Sequence, residues 1–382
     1  MWLEKVGLLN FKNYEETTIS FSQHINCFVG ENGSGKTNLL DAIYYLSFTK
    51  SAFSSTEQQN MRHGAALFLV KGTFHKQEET FDIQFSLQRG QKKDARNSRV
   101  PYEKLSEHIG LFPAVLISPD DTDLIRERSE NRRRFFDSII SQINRDYLDD
   151  LIHYNHMLRQ RNSLLKQFAD RHTYDQDLLD SYSEQLLTLG CRIYEARREF
   201  IVQFVPLFEK HYRYLSEDKE LVSIHYESHF ARANFQDIFY RAYPRDLALQ
   251  RTTQGAHRDD FVFEIAQYPV KKYGSQGQQK SFVIALKLAQ FEIIHQEVGI
   301  KPLLLLDDIF DKLDDHRIAQ LTSLVVAQTF GQLFLTDARP ERTYQLLKEL
   351  AVEKKFFTIQ QGTVVEEEVM EEKGQERTED GP

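Results

Sequence analysis

The sequence predicts an α/β protein with a mainly helical lobe inserted into it. Three observations predict this class: strand-like runs and a helix near the start, a long helical stretch, and further strand-like runs afterwards. The helical stretch, residues 120–214, is rich in Arg, Gln and Leu and contains almost no Gly or Pro. A chain of 382 residues is long enough for two domains, or for one domain with a large insertion.

The first predicted elements are three strands and a helix, and the last are a helix and two neighbouring strands. The helix at 36–48 is indicated by apolar residues on one side, and the strand at 81–87 by apolar residues at every second position. In chain order, the predicted elements are strands at 3–11, 17–21, 25–29, 67–70 and 81–87, the helical stretch, strands at 221–225 and 261–265, a helix at 278–296, and strands at 303–306 and 333–335.

Composition excludes several classes of protein. No run approaches the roughly 18 apolar residues of a membrane helix, and the start has no signal-like pattern, so we expect a cytoplasmic protein without a membrane partner. Cys27 and Cys191 lack CxxC spacing, which argues against a disulfide framework or zinc site, and both are interpreted as small core residues. Residues 365–382 hold eight acids and two bases of a chain with net charge −9, and we expect them to form a disordered tail.

A glycine-rich loop lies between the third strand and the first helix, and it fits the pattern G-x-x-x-x-G-K-[ST] in full. Its glycines let backbone N–H groups converge on phosphate oxygens, and the helix N-terminus favours negative charge. We expect the lysine to reach the outer phosphates and the threonine to bind Mg²⁺. No guanine-selecting tetrad is present, so ATP is the expected nucleotide, while an ordinary glycine-rich turn is the alternative. The predicted nucleotide-binding residues are Gly30, Glu31, Asn32, Gly33, Ser34, Gly35, Lys36 and Thr37.

An apolar run of four leucines ends in Asp307 and Asp308, as in a Walker B strand. Carboxylates at the end of a buried strand are costly unless they face a cation or solvent. Asp307 is predicted to hold Mg²⁺ and Asp308 to act as the catalytic base, with Lys36 as the second catalytic residue. Taken alone, such a strand end is structural about as often as functional, and the phosphate loop favours function.

The run from Tyr273 to Ser281 precedes a long amphipathic helix and resembles the signature loop of ABC-type ATPases. The resemblance implies an ABC-type head of the P-loop class, with Ser275, Gly277 and Gln278 covering the nucleotide of a second subunit in an ATP-dependent homodimer. A simple helix cap is the alternative. Residues 311–314 resemble the D-loop. Thr336 and Asp337 lie where transporter ATPases keep a switch histidine, and they are its substitutes by position only.

The domain boundaries follow from these motifs. The ATP-binding lobe is expected at 1–117 and 297–364, the mainly helical lobe with the signature at 118–296, and the acidic tail at 365–382.

The chain apart from its tail resembles the RecF family of bacterial recombination proteins. Besides the ATPase motifs, the matching runs are residues 9–14, 118–121, 132–137, 161–165 and 255–260, in the order of the family. The run 118–121 falls where ABC proteins have a Q-loop but contains no glutamine, and Ala256 stands where Pro is expected before the histidine.

The resemblance implies a weak, DNA-stimulated ATPase that binds single-stranded and gapped duplex DNA. It also implies work with RecR and RecO in loading RecA at gaps, and roles in recombinational repair, replication restart and SOS induction. An SMC-like structural ATPase with shortened arms is the alternative, and a transporter ATPase subunit is a weaker one.

Two basic clusters are the candidates for contacts with DNA phosphates. For each arginine alone, a solvated surface ion pair is the alternative interpretation. The run from His257 to Asp260 could suggest a metal site, but an internal hydrogen-bonded network is the preferred interpretation. The candidates are Arg126, Arg128, Arg132, Arg133 and Arg134 in one cluster and Lys92, Lys93, Arg96 and Arg99 in the other.

Overall fold

The chain forms two units. The computed structural model describes residues 1–217, 220–309, 320, 323, 330–348 and 350–370. Unit 1 comprises Met1–Pro119 with Gly299–Pro382, and unit 2 comprises Asp120–Val298. These junctions lie two residues from the boundaries expected from the sequence. The D-loop-like run at 311–314 lies outside the described residues.

Unit 1 contains most of the strands. Two α-helices of unit 1 lie within its described residues over their full length: α1 (Lys36–Phe48) and, in the second segment, a helix at Pro340–Leu347, named α10 below. Its strands are β1 (Trp2–Phe11), β2 (Tyr14–Ser20), β3 (Ile25–Val29), β4 (Leu67–Lys76), β5 (Glu79–Gln88), β6 (Asp94–Asn97), β7 (Val100–Pro101), β8 (Ala114–Ile117), β12 (Leu303–Asp307), β13 (Leu333–Asp337), β14 (Lys354–Gln360) and β15 (Thr363–Met370).

These strands form two six-stranded sheets. The first is antiparallel, with the order β2-β1-β4-β5-β6-β7, and the second has the order β15-β14-β3-β13-β12-β8. The second sheet is parallel except for β15, which pairs antiparallel with β14 at one edge. Parallel strands bring their carboxyl ends to one edge, so the residues that follow β3, β12 and β13 lie together.

Helix α1 is buried between the two sheets of unit 1. It contacts β1, β4 and β5 of the first sheet and β8, β12 and β13 of the second. Leu39, Leu40, Ile43 and Leu46 are fully buried, as the sequence predicts, and so is Tyr45 on another side of the helix. Because α1 is packed on both sides, its N-terminus is held in place, and so is the end of the loop that precedes it.

Unit 2 is helical, with a small antiparallel sheet of order β11-β10-β9. Two arginines are buried at its centre. Arg161 donates hydrogen bonds to Asp246, at 2.8 Å, and to Ser183 and Thr252, while Arg197 is paired with Asp137 and Asp259. Its elements are α2 (Asp123–Arg126), α3 (Ser129–Ile143), α4 (Arg145–Arg171), α5 (Gln176–Ser216), β9 (Val222–Glu227), α6 (Phe235–Arg241), α7 (Tyr243–Leu249), β10 (Asp260–Ile265), β11 (Tyr268–Pro269), α8 (Val270–Tyr273) and α9 (Gln276–Val298).

The structure corrects two sequence-based expectations. Residues 365–370 are not disordered but belong to β15, where Glu366, Glu367 and Glu368 pair with β14. Backbone pairing with β14 orders this segment while its acidic side chains remain exposed. Cys27 is buried as expected, but Cys191 is exposed on α5, so its assignment to the core is wrong.

Candidate functional site

The glycine-rich loop connects β3 to α1, at the carboxyl edge of the parallel strands. Gly30, Gly33 and Gly35 have φ values of 143°, 80° and 118°, in the region that favours glycine. A Cβ at Gly30 would lie 2.4 Å from the carbonyl oxygen of Ile359 in β14. The loop therefore needs glycine at position 30 both for its backbone angles and for its close approach to a neighbouring strand.

The carbonyl groups of the loop are held by residues from distant parts of unit 1. The Ser34 carbonyl accepts hydrogen bonds from Asn13 Nδ2 at 3.1 Å and from the backbone N–H of Gly362 at 2.8 Å. The Gly35 carbonyl accepts one from the hydroxyl of Tyr14, and burial raises the pKa of that hydroxyl, so it keeps its proton. Since the C=O and N–H of a trans peptide point in opposite directions, these bonds turn the N–H groups of Gly35 and Lys36 to the other side of the loop.

The interior of the loop carries polar groups that suit a phosphate chain. Lys36 is buried, and its ammonium group donates to the carbonyls of Gly30 and Glu31, at 2.8 and 2.9 Å. Ser34 Oγ is also buried and has no hydrogen-bond partner among the described residues. A lysine, an unpaired hydroxyl and oriented N–H groups in front of a helix N-terminus fit the oxygens of a nucleoside triphosphate.

The two residues expected to bind the metal are in direct contact. Thr37 Oγ1 donates a hydrogen bond to Asp307 Oδ1 at 2.8 Å, which joins the start of α1 to the end of β12. Thr336 Oγ1 donates to the same carboxylate oxygen at 2.8 Å and accepts from the backbone N–H of Asp308 at 2.9 Å. A hydroxyl and a carboxylate converge here, and such hard oxygen ligands are those that Mg²⁺ prefers. The residues present therefore fit a magnesium ion.

The residues after β12 and β13 differ in their surroundings. Asp308 is half-buried and has a φ of 46°, an uncommon value for a residue other than glycine. Asp337 is fully buried, and its carboxylate accepts hydrogen bonds from Arg342 and Thr343 in or near α10. Of the two residues placed by position where a switch histidine is expected, Thr336 contacts the acidic strand end. The contacts of Asp337 support α10 instead.

The signature-like residues lie at the N-terminus of α9, in unit 2. Ser275 is exposed; its hydroxyl accepts a hydrogen bond from the backbone N–H of Gln278, and Gln278 Oε1 accepts one from the N–H of Ser275 at 2.6 Å. This reciprocal pair caps the helix. Gly277 follows within the first turn of α9. Ser275 and Gln278 therefore form a helix cap, as the alternative interpretation expects. Ser275 is nevertheless exposed, so its hydroxyl also faces solvent.

The first basic cluster is only partly available for a ligand. Arg132 binds both carboxylate oxygens of Asp260, at 2.8 and 2.9 Å, and Arg133 donates to the carbonyl of Asp259. These contacts hold α3 to β10 and account for Arg132 by packing within unit 2, while its contact with DNA stays a prediction. Arg126 donates to Gln279 near the signature turn, Arg134 pairs with Glu130 in the same helix, and Arg128 is exposed.

The second basic cluster opens onto a groove across the first sheet of unit 1. Lys93 does not line this groove, and its ammonium group pairs with Glu57 and donates to the Thr49 carbonyl. Arg96 pairs with Asp94, and Lys92 is exposed. Arg96 and Arg99 line the groove together with Lys5 and Lys71, and its volume is about 430 Å³. Lys5 and Lys71 are not predicted from the sequence, because they lie on strands far from this cluster in the chain.

The run 257–260 forms an internal network, as preferred from the sequence. His257 Nδ1 accepts from the Tyr154 hydroxyl at 2.8 Å, and the Asp259 carboxylate binds Arg197 and the Tyr226 hydroxyl. In the described part of the chain, no group of three or more His, Cys, Asp or Glu side chains is arranged for a metal ion.

The parallel sheet, the glycine-rich loop after β3 and the paired acids after β12 define a P-loop ATPase with an ABC-type head. The family model for the RecF/RecN/SMC N-terminal domain matches residues 2–359. DNA replication and repair protein RecF of Cytophaga hutchinsonii is 50% identical over 95% of this chain and 96% of its own length, and RecF of Flavobacterium johnsoniae is 47% identical over 94% and 100%. The chain belongs to the RecF family.

Solved structures agree with this assignment. The structure of the recombination mediator protein RecF with ATP, of the RecFOR pathway, has a TM-score of 0.84 at 28% identity and covers 96% of this chain and 99% of its own. An Smc head domain from Pyrococcus furiosus has a TM-score of 0.54 at 18% identity, which shows a shared fold. The predicted fold class is confirmed, and the SMC-like alternative is more distant. No helix in the described residues has the length and apolar character to cross a membrane.

Proposed function

We propose that this protein binds and hydrolyses ATP and acts on DNA in replication and recombinational repair. The observation that carries the proposal is the contact between Thr37 and Asp307, beside a loop whose Ser34 and Gly35 carbonyls are hydrogen-bonded on its outer side. The name of its relatives, DNA replication and repair protein, and the ATP-bound RecF structure support the same conclusion.

The residues of unit 1 have distinct roles in this proposal. Residues 30–37 surround the phosphates, and Lys36 exchanges its loop carbonyls for phosphate oxygens. Thr37 and Asp307 would hold Mg²⁺, which would supply positive charge to the phosphate oxygens. Asp308 orients the attacking water and accepts its proton, and its backbone N–H is fixed by Thr336.

The signature turn is the part of the site that a second copy completes. Ser275, Gly277 and Gln278 lie at the N-terminus of α9, where the exposed hydroxyl and the helix dipole suit a phosphate. We propose that this turn of one copy covers the nucleotide of another, so that ATP favours the homodimer and hydrolysis releases it.

The finer parts of the proposal follow the family resemblance. They are weak ATP turnover stimulated by DNA, preference for single-stranded and gapped duplex DNA, work with RecR and RecO in loading RecA, a role in SOS induction, and a cytoplasmic location. Lys5, Lys71 and Arg99 support the DNA contact, because they bring positive charge to one groove of unit 1.

The first test separates nucleotide binding from hydrolysis. In Lys36→Met we expect ATP affinity and turnover to be lost, because the loop no longer neutralises phosphate charge. In Asp308→Asn we expect ATP to bind while turnover falls by about 10²-fold or more, the range for a positioned general base. Nucleotide binding by fluorescence and phosphate release with and without gapped DNA measure both effects, and undiminished turnover in Asp308→Asn would contradict the assignment.

The second test addresses the homodimer. Sedimentation with and without ATP should show an ATP-dependent dimer that Ser275→Arg abolishes, because a large cation on the turn blocks its approach to a second copy. Ser181→Arg, the same change at an exposed site on α5, is the matched control and should still form dimers. A monomer under all conditions for the unaltered protein would remove the composite site from the proposal.

A further inference from the structure

Unit 2 contains a cavity that the nucleotide site does not use. It has a volume of about 400 Å³ and lies among α3, α7 and the segments 229 and 251–258. Four arginines line it, and none of its lining residues is acidic. The lining consists of Ser129, Arg133, His229, Arg245, Leu249, Arg251, Thr253, Gln254, His257 and Arg258.

Three of the four arginines in this cavity form no ion pair with a described residue. Arg245, Arg251 and Arg258 are exposed and form no ion pair within the described parts of the chain. Two buried carboxylates next in sequence to cavity residues are paired with other arginines: Asp246 with Arg161 and Asp259 with Arg197. Three guanidinium groups therefore face one space, and an anion in that space would be attracted by all of them.

The fourth arginine and the start of α3 form one wall. Arg133 is half-buried and is held in place by hydrogen bonds from its guanidinium to Ser129 Oγ at 2.9 Å and to the carbonyl of Asp259. Burial and then repulsion from Arg197 lower the pKa of Arg133, although Asp137, Asp259 and Asp260 attract its charge, and an anion in the cavity would add to that attraction. Ser129 is the first residue of the 15-residue helix α3, whose N-terminus adds to the positive potential.

The imidazoles in the wall are polar but uncharged at neutral pH. Burial lowers the pKa of His257 to about 3, and both of its ring nitrogens are bound, to Tyr154 and to the Thr252 carbonyl. His229 Nδ1 is buried and has no hydrogen-bond partner among the described residues. His229 can therefore offer a neutral N–H to a ligand, while the arginines supply the charge.

We propose that this cavity is a second anion site, which binds a phosphate group through Arg245, Arg251, Arg258 and Arg133. Guanidinium groups match phosphate oxygens in pairs, and several of them around one space favour a terminal phosphate, whose charge is about −1.5 to −2 at neutral pH, over a singly charged diester. The ligand is a phosphate monoester at a polynucleotide end or a free phosphate. Only the first source depends on the DNA binding proposed above.

The test compares two variants with equal loss of charge. Arg245→Ala/Arg251→Ala removes two arginines from the cavity, and Arg159→Ala/Arg241→Ala removes two exposed arginines from helices of the same unit that do not line it. All four side chains are exposed, so both variants should fold, and circular dichroism checks this. Inorganic phosphate is titrated by calorimetry into the full-length proteins. The loop at 30–37 is intact in both variants, so its own phosphate binding cancels in the comparison.

We expect the cavity variant to lose at least tenfold in phosphate affinity at the second site, or the site altogether, while the control matches the unaltered protein. Equal phosphate binding by both variants would overturn the proposal. A second arm measures binding of oligonucleotides that carry a 5′-phosphate or a 5′-hydroxyl. A preference for the phosphorylated end that disappears only in the cavity variant assigns the site to polynucleotide ends, and no preference in any protein assigns it to free phosphate. If the unaltered protein bound no DNA, the proposed function would be contradicted. The titration with inorganic phosphate would still test the anion site.

Discussion

Thr336 is the residue that connects the two acidic positions of the nucleotide site. Its hydroxyl donates to Asp307 and accepts from the N–H of Asp308, so a single side chain fixes the carboxylate proposed to bind the metal and the backbone of the proposed catalytic base. It lies on β13, between the strands that carry the phosphate loop and the acids. A threonine at this place cannot carry a positive charge as a histidine can. We infer that it acts by positioning.

Thr336→Val should therefore lower ATP turnover with little effect on ATP affinity. Loss of a hydrogen bond to a charged group costs about 1.5–3 kcal/mol. If this cost raises the activation free energy by the same amount, turnover falls roughly 10- to 150-fold. Thr336→Ser keeps the hydroxyl and is the matched control, expected to retain most activity. Steady-state phosphate release and nucleotide binding measure the two quantities, and a Val variant with normal turnover would show that the hydroxyl is dispensable.

At this scale, sequence spacing predicts the residues inside a motif but not those that support it. Lys36 and Thr37 follow from a local pattern with a known chemistry, and the contact of Thr37 with Asp307 follows from the two motifs together. Asn13, which holds the loop, and Gly362, which donates to Ser34, carry no local signal. Their roles exist only because strands distant in sequence are neighbours in the sheets.

Among the elements, the loop at 30–37 depends on the strand beside it. Gly30→Ala should destabilise unit 1, because the added Cβ would lie 2.4 Å from a backbone oxygen of β14 and the residue would keep a φ of 143°. Gly33→Ala is the matched control, since its φ is 80° but no atom lies within 4 Å of its Cβ. We expect about 1 kcal/mol for the control and at least about 2 kcal/mol more for Gly30→Ala.

Urea denaturation of both variants measures this difference. Equal midpoints for the two would mean that β14 moves away from the loop without cost.

The elements that the sequence predicts are those with a strong internal pattern. Helix α1, β3 and β12 agree with the expected residues within one position, because a glycine loop or a pair of acids marks their ends. Six strands are missed: β6, β7, β8, β11, β14 and β15. β8 is a four-residue apolar run without alternation, and β15 is rich in glutamate, so its composition indicates disorder while pairing with β14 makes it a strand.

For the molecule as a whole, net charge conceals where a polyanion could bind. The chain carries −9, yet Lys5, Lys71, Arg96 and Arg99 share one groove. Lys71→Ala/Arg99→Ala should weaken DNA binding and reduce the slope of log affinity against log salt by about 1.8, since each phosphate contact contributes about 0.9. Lys104→Ala/Lys348→Ala removes the same charge from outside the groove and should leave the slope unchanged. Binding titrations from 50 to 200 mM salt test this.

The family assignment was predictable from the sequence because its motifs keep their order along the whole chain. The groove on the first sheet and the cavity in unit 2 were not, because each collects basic residues from separate segments that only folding brings together.

The bond from Gly362 to Ser34 also sets an order of events during synthesis. The ribosome makes the phosphate loop early, but the strand that closes it, β14, and the N–H that holds it come about 330 residues later. At roughly 5–20 residues per second, the nascent chain spends on the order of 20 to 70 seconds with a phosphate loop that lacks its supporting contacts. A truncated translation product would therefore contain the whole glycine-rich loop at 30–37 and yet lack the geometry to bind a nucleotide.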